Sequence, residues 1–359
     1  MLGLRLLLGI GEAAFVGVPF YLSFFYKRDE FAFRTGLFIS AAPLATSFAG
    51  FLAWVITKFG DRIPIAPWRI LFLLEGFPSV VVAIFVWLSI PDGPDSVRYL
   101  TPRQRNIASL RLRSDKGHSN VTHEKGLKEG WADIRRTLAD PQAYLTALMF
   151  FCCNVAFSSL PVFLPTIIKE MGYSQLASQG LSAPPYLVAF LTVLVTAWVS
   201  DRYKKRSIFV IFHAILASLG YAMMAITGYK QASPLVRYIG VFPAVMGFFS
   251  AITIIITWTL NNQDTDFGKG TSLSVLNFVG QLGPLVGVHL YPFEDAPYYT
   301  KGLGLCAGFM VIVAILAVLV RMILTRRNRR TRAGGIANGR KSEGHVNVQG
   351  LSRNFFYMI

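Results

Sequence analysis

Runs of about 20 apolar residues recur along this chain of 359 residues, and that repetition limits the fold more than any other feature. As an α-helix, one such run crosses about 30 Å of hydrocarbon. A soluble domain ends its apolar stretches at ordinary helix or strand length and has roughly 25% charged residues. Here only 15% are charged and 53% are hydrophobic. The class implied is an all-α integral membrane protein with several spans. The first run begins almost at Met1 but lacks the charged start, short core and small-residue cleavage site of a signal peptide, so it reads as a span. Three cysteines are too few for a disulfide framework, and Cys152, Cys153 and Cys306 sit inside apolar runs as packing residues.

Nine spans are expected, at 1–26, 35–57, 70–90, 143–168, 181–200, 207–229, 236–260, 272–291 and 302–324. They divide the chain into a three-helix part (1–90), a central polar loop (91–142), a six-helix bundle (143–324) and a basic tail (325–359). Cytoplasmic loops retain Lys and Arg. The alternating set 27–34, 91–142, 201–206, 261–271 and 325–359 holds 26 of them, and the other set holds 7. The first set is therefore expected in the cytosol, with the C-terminal tail inside. The net charge of +16 gathers on that face, where it suits anionic lipid rather than nucleic acid. Within the central loop, Thr101-Pro102 predicts a helix over 102–114, with Thr101 as N-cap and Pro102 at the first helical position. A second is expected over 129–138. The sequon Asn120-Val121-Thr122 falls on the cytosolic side and is expected to stay unmodified.

A charge at bilayer depth costs at least ~2.5 kcal/mol and usually marks a pathway or proton site. Two acids, Glu12 and Glu75, lie within the apolar runs. With Ser23 at the interface, Glu12 lies about 16 Å deep. Positions 5, 9, 12 and 16 share a helical face, so Arg5 and Glu12 form a polar stripe. Two readings are open. The stripe lines a solute path, with Arg5 attracting an anionic group and Glu12 carrying a proton; or it is a structural pair between helices. Further along, Asn154, Tyr186, Trp258, Asn262, Asn277 and Gln281 interrupt the spans. Asn277 and Gln281 share a face, and Tyr186 follows Pro184-Pro185, where a regular helix is expected to fail and to free carbonyls. Aromatics beside amides suit a flat, hydrogen-bonding organic anion. The same residue types also bond helix to helix or mark the interface belt. His213 and His289 read as packing residues. No phosphate-cradling loop, metal-ligand cluster or nucleophilic triad is present in the sequence, so neither enzyme chemistry nor a cofactor is expected.

Several stretches then resemble a known family. They are "RLLLGIGEA" (5–13), "YLSFFYKRDEFAFRTGLF" (21–38), "PWRILFLLEG" (67–76), "IPDGPDSVRYLTPRQRNIASLRLRSD" (90–115), "FLPTIIKEMGYSQLASQGLSAPPYLVA" (163–189), "SDRYKKRS" (200–207), "VGQLGPLVGVHLYPFEDAPYYTKG" (279–302) and "NFFYMI" (354–359). In this order and spacing they resemble the major facilitator superfamily, and within it the fungal anion:cation symporters typified by allantoate permease. The resemblance begins at that family's fourth span, so it implies a 6 + 6 helix design of which the first three spans are not in this sequence. It implies proton-coupled transport of a small organic anion, such as allantoate, nicotinate or pantothenate, across a fungal plasma membrane by alternating access. It implies that Asp201, Arg202 and Arg206 lock neighbouring helix ends in one conformation. It implies no particular oligomer. The chain departs from the family at Val16-Gly17, where Pro-Gly is usual, and at Gly268-Lys269, where a glycine and two bases are usual. A non-transporting membrane sensor and an inactive fragment are the competing readings.

Overall fold

The computed structural model describes residues 2–59, 64–115, 127–170, 172–231, 233–296, 298–342 and 355–359. The sequon at Asn120 lies outside the described residues. Among them the regular structure is entirely helical. The first span is α1 (Leu2–Glu12) and α2 (Val18–Leu22), joined by a 3₁₀ stretch over Ala13–Gly17. Then come α3 (Phe31–Phe59), α4 (Pro67–Ser89), α5 (Pro102–Asp115) and α6 (Leu127–Leu138). The larger part follows as α7 (Pro141–Glu170), α8 (Gln175–Tyr203), α9 (Ser207–Tyr229), α10 (Pro234–Asn261), α11 (Asp266–Gly280), α12 (Gly283–Gly287) and α13 (Thr300–Ser342). Seven stretches of helix are long and apolar enough to cross a membrane, among them Trp68–Ser89, Pro234–Asn261 and Thr300–Ala333. Among the described residues this gives seven such stretches beside the nine expected, so the count of nine is not confirmed.

The core is built around α10, whose residues from Ala244 to Asn261 are almost all buried against α7, α8 and α9. Lipid offers no hydrophobic drive between helices, so close packing has to hold them. Gly247 shows it: a Cβ there would lie 2.5 Å from the carbonyl oxygen of His213, so α9 and α10 approach to a distance that only glycine permits. Buried hydroxyls add cross-links. Tyr221 donates to the Ala156 carbonyl at 2.8 Å, tying α9 to α7, and Ser218 donates to the Ala307 carbonyl at 3.0 Å, tying α9 to α13.

Pro184-Pro185 does not break its helix; α8 runs unbroken from Gln175 to Tyr203. Pro185 has no N–H to offer Leu181, four residues back. The Tyr238 hydroxyl from α10 donates to that Leu181 carbonyl at 2.8 Å and replaces the missing bond. In the central loop, the expected cap forms: Thr101 Oγ1 accepts from the Gln104 N–H while Gln104 Oε1 accepts from the Thr101 N–H, a reciprocal box that starts α5. The last helix runs to Ser342, well past the expected end of its span at 324.

α3 packs along α8 and α10, whereas α1 and α4 stand at the edge. None of the span Trp68–Ser89 is buried, and Trp87 is 88% exposed. The segments rich in Lys and Arg, including 27–30, 201–206 and the end of α13, meet at one end of the bundle, which we call the basic end.

Candidate functional site

At the basic end, the loop between α2 and α3 meets the turn between α8 and α9. Asp201, near the end of α8, reaches across to the start of α3. Its Oδ1 accepts from the Ala32 N–H at 3.2 Å and its Oδ2 from the Phe33 N–H at 2.7 Å. The first N–H groups of a helix have no partner within it and favour negative charge. A carboxylate from α8 therefore caps a helix on the other side of the contact. Arg206, fully buried, donates to Asp201 Oδ1 at 2.5 Å, to Ser200 Oγ at 2.8 Å and to the Arg28 carbonyl at 3.1 Å. Burial pulls its guanidinium below the ordinary arginine value, and the Asp201 charge opposes that pull. Arg202 is exposed and takes no part in this pair. It lines a cleft of about 430 Å³ together with Asp29, Arg34, Trp198 and Lys204.

Two further pairs brace the contact. Lys204 meets Asp29 at 3.0 Å. Burial raises the Asp29 carboxyl, but the Lys204 hydrogen bond and charge outweigh it and hold the group below its ordinary value. Arg111 of α5 pairs with Glu30. One helix turn into the contact, a Cβ on Gly36 would lie 2.6 Å from the Ala197 Cβ, so α3 and α8 touch backbone to side chain there.

The residues expected along a solute path are scattered. Arg5 and Glu12 are exposed on α1, and α1 gives way to the 3₁₀ stretch straight after Glu12, so the stripe does not continue as one α-helical face to Val16. Glu75 is exposed on α4. Asn154 is buried and donates to the Gly280 carbonyl at 3.1 Å, joining α7 to α11. Asn277 donates back to Leu273 in its own helix at 2.9 Å, and Gln281 is exposed at the helix end. His213 is buried and shares a 2.8 Å hydrogen bond with Thr196. His289 is exposed, with Nδ1 2.7 Å from the Leu285 carbonyl oxygen. Tyr186 is 1% exposed, packs 6.2 Å from the Phe249 ring between centroids, and its hydroxyl has no hydrogen-bond partner among the described residues. Phe157 packs on Phe248 and Phe249, so the Tyr186 ring joins an aromatic cluster from α7 and α10 through Phe249.

Trp258 and Asn262 have a different partner altogether. The segment Phe355–Ile359 lies against the basic end, and Met358 sits between them. Trp258 Nε1 donates to the Met358 carbonyl at 2.8 Å; Asn262 donates to the same carbonyl at 3.1 Å and accepts from the Met358 N–H at 2.7 Å. The sequence reading missed this because the partner lies about a hundred residues away, in a segment read as tail.

Residues 1–288 match the family model described as "Major Facilitator Superfamily". The chain belongs to the major facilitator superfamily. A fungal relative named "MFS transporter prlL", from Fungal sp. (strain NRRL 50135), is 32% identical over 339 residues, covering 92% of this chain and 67% of its own. The "High-affinity nicotinic acid transporter" of Saccharomyces cerevisiae is 26% identical over 330 residues, covering 92% of this chain and 60% of its own. The chain thus spans about two thirds of the length of the relatives it matches. Among solved structures, the proton:xylose symporter XylE bound to 6-bromo-6-deoxy-D-glucose superposes with a TM-score of 0.57 at 15% identity, covering 86% of this chain and 66% of that one. That likeness carries the fold alone.

Proposed function

We propose that this superfamily member works as a secondary transporter moving a small organic anion together with protons by alternating access at a plasma membrane, with its basic end in the cytosol. The observation that carries the reading is the cap across the lobe contact. Asp201 of the six-helix part closes the N-terminus of α3 in the other part, and the buried Arg206 ties the same carboxylate to the Arg28 loop. Such a contact is made in one state and broken in the other, which alternating access needs. The fungal relatives named as transporters support it, one of them for nicotinic acid.

For the solute, the buried Tyr186 hydroxyl, without a hydrogen-bond partner among the described residues and carried on a ring packed against Phe249, supports a flat ring with a hydrogen-bonding group. For completeness, the bare flanks of α1 and α4 support a larger assembly in which three further helices cover the Arg5–Glu12 face. The test is uptake of labelled nicotinate, allantoate and pantothenate in yeast lacking its own carriers. It would use this chain alone and this chain joined behind the first three helices of a relative, each with and without a proton gradient. Gradient-dependent uptake is expected from the joined form only. Accumulation by this chain alone, or none of the three by the joined form, would count against the proposal.

A further inference from the structure

We infer that the segment Phe355–Ile359 is a latch: it docks in a built peptide site at the basic end, holds α3 and α8 together there, and must leave before that end opens. The site grips the segment's backbone as well as its side chains, Asn261 lying 3.3 Å from the Met358 sulfur. Asn262 exchanges two hydrogen bonds with Met358, and Asn328 of α13 does the same with Tyr357, donating to its carbonyl and accepting from its N–H, both at 2.9 Å. Two amides set on different helices thus grip successive peptide units as a neighbouring strand would. Trp258 adds its donor to Met358, and the Arg206 backbone N–H donates to the Ile359 carbonyl at 2.9 Å.

The position of the docked segment gives the contact its consequence. Arg28, in the loop before α3, donates from its guanidinium to the Phe356 carbonyl at 3.1 Å and lies 4.5 Å over the Phe355 ring. The carbonyl of the same Arg28 is held by Arg206 and by Asn261 at 3.0 Å. The segment therefore bridges the loop before α3 to the ends of α8, α10 and α13 in one stroke. Those are the elements that part if the basic end opens. The site is also composite: Asn262 follows α10 and Asn328 lies in α13, while Arg28 belongs to the loop before α3. Separation of the two parts would tear the segment from one side or the other. Tyr357 and Ile359 pack against the core, and the Arg327 and Arg332 guanidiniums lie 5.5 Å and 5.8 Å over the rings of Tyr357 and Phe356. Residence is thus favoured by apolar burial as well as by hydrogen bonds.

The latch rests on the proposed alternating access, so its test reads opening without any solute. Ala32 is fully buried in the α3–α8 contact, and the native Cys152, Cys153 and Cys306 are buried. Ala32→Cys in the full chain, in liposomes, reports opening as a thiol-labelling rate. Asn262→Ala with Asn328→Ala removes four hydrogen bonds and is expected to speed labelling at least about tenfold, and removal of residues 355–359, which loses these and more, at least as much. Adding the free peptide Phe-Phe-Tyr-Met-Ile to the shortened chain should slow labelling again, but not when both asparagines are alanine. Unchanged labelling in the asparagine variant, which does not depend on a shortened chain folding, or no slowing by the added peptide, would overturn the latch. Failure of transport with these labelling changes intact would instead strike the transport reading alone.

Discussion

Asp201→Ala tests the contact at its most loaded point. In the closed state the variant would leave Arg206 buried without its carboxylate and the first N–H groups of α3 without their acceptor. Breaking a buried ion pair from one side costs about 3–5 kcal/mol, because the remaining charge is stranded. Arg206 keeps its bonds to Ser200 and to the Arg28 carbonyl, so the lower figure applies. Opening the contact would let water reach Arg206, so the penalty falls on the closed state and shifts the balance toward the open one. At about 1.4 kcal/mol per decade, a loss of about 3 kcal/mol raises the open fraction about 10²-fold. Labelling of Ala32→Cys should rise by that factor as long as the open fraction stays small. Asp201→Ala combined with Arg206→Met removes the stranded charge along with the carboxylate. It should label more slowly than Asp201→Ala alone, although it lacks more hydrogen bonds. A double variant that labels as fast as the single, or a single that labels no faster than the parent, would refute the stranded-charge argument.

Three further perturbations probe the packing around this contact and elsewhere in the bundle. Gly36→Val should cost about 1–3 kcal/mol of closed-state stability through overpacking on Ala197, read as faster Ala32→Cys labelling, and Ala197→Gly should recover part of it. Asn154→Ala removes the bond to the Gly280 carbonyl and should lower the thermal stability of the detergent-solubilised chain by about 1 kcal/mol, with no change in labelling at Ala32. At the foot of α13, Arg327 grips Asp140 through two hydrogen bonds of 2.7 and 2.8 Å. Burial raises the Asp140 carboxyl, but the Arg327 bond, the Gln142 N–H and the nearby arginine charges hold it below its ordinary value. Its contribution is therefore complete above the unfolded carboxyl's titration and is lost as pH falls through the folded value. Unfolding midpoints taken from neutral pH down to about pH 3 should fall less steeply in Arg327→Met than in the parent.

Local rules made the helices legible. Run length located most of the spans, because a backbone in hydrocarbon has few other ways to satisfy itself, and Thr101 with Gln104 announced the start of α5 by spacing alone. Pro184-Pro185 shows where a local rule stops. The freed Leu181 carbonyl is a real cost, but its remedy is the hydroxyl of Tyr238, 57 residues on in another helix, and nothing around the prolines signals it.

The site was harder to read for the same reason. The resemblance marked Asp201, Arg202 and Arg206 as a lock between helix ends, yet the groups Asp201 caps are the backbone N–H groups of Ala32 and Phe33, and a backbone donor has no letter in a sequence. Asn262 and Trp258 carried a correct chemical signal, since buried amides and indoles need partners. Their partner, though, is again main chain, at Met358, so the signal pointed toward a solute and could not distinguish a solute from a peptide. An amide that reads backbone tolerates side-chain change in what it binds. Substituting Met358 with leucine should therefore keep the segment docked and leave Ala32→Cys labelling near the parent rate. Met358→Pro, which deletes the N–H that Asn262 accepts, should release it. If both substitutions speed labelling alike, the Met358 side chain, not the backbone grip, holds the segment in place.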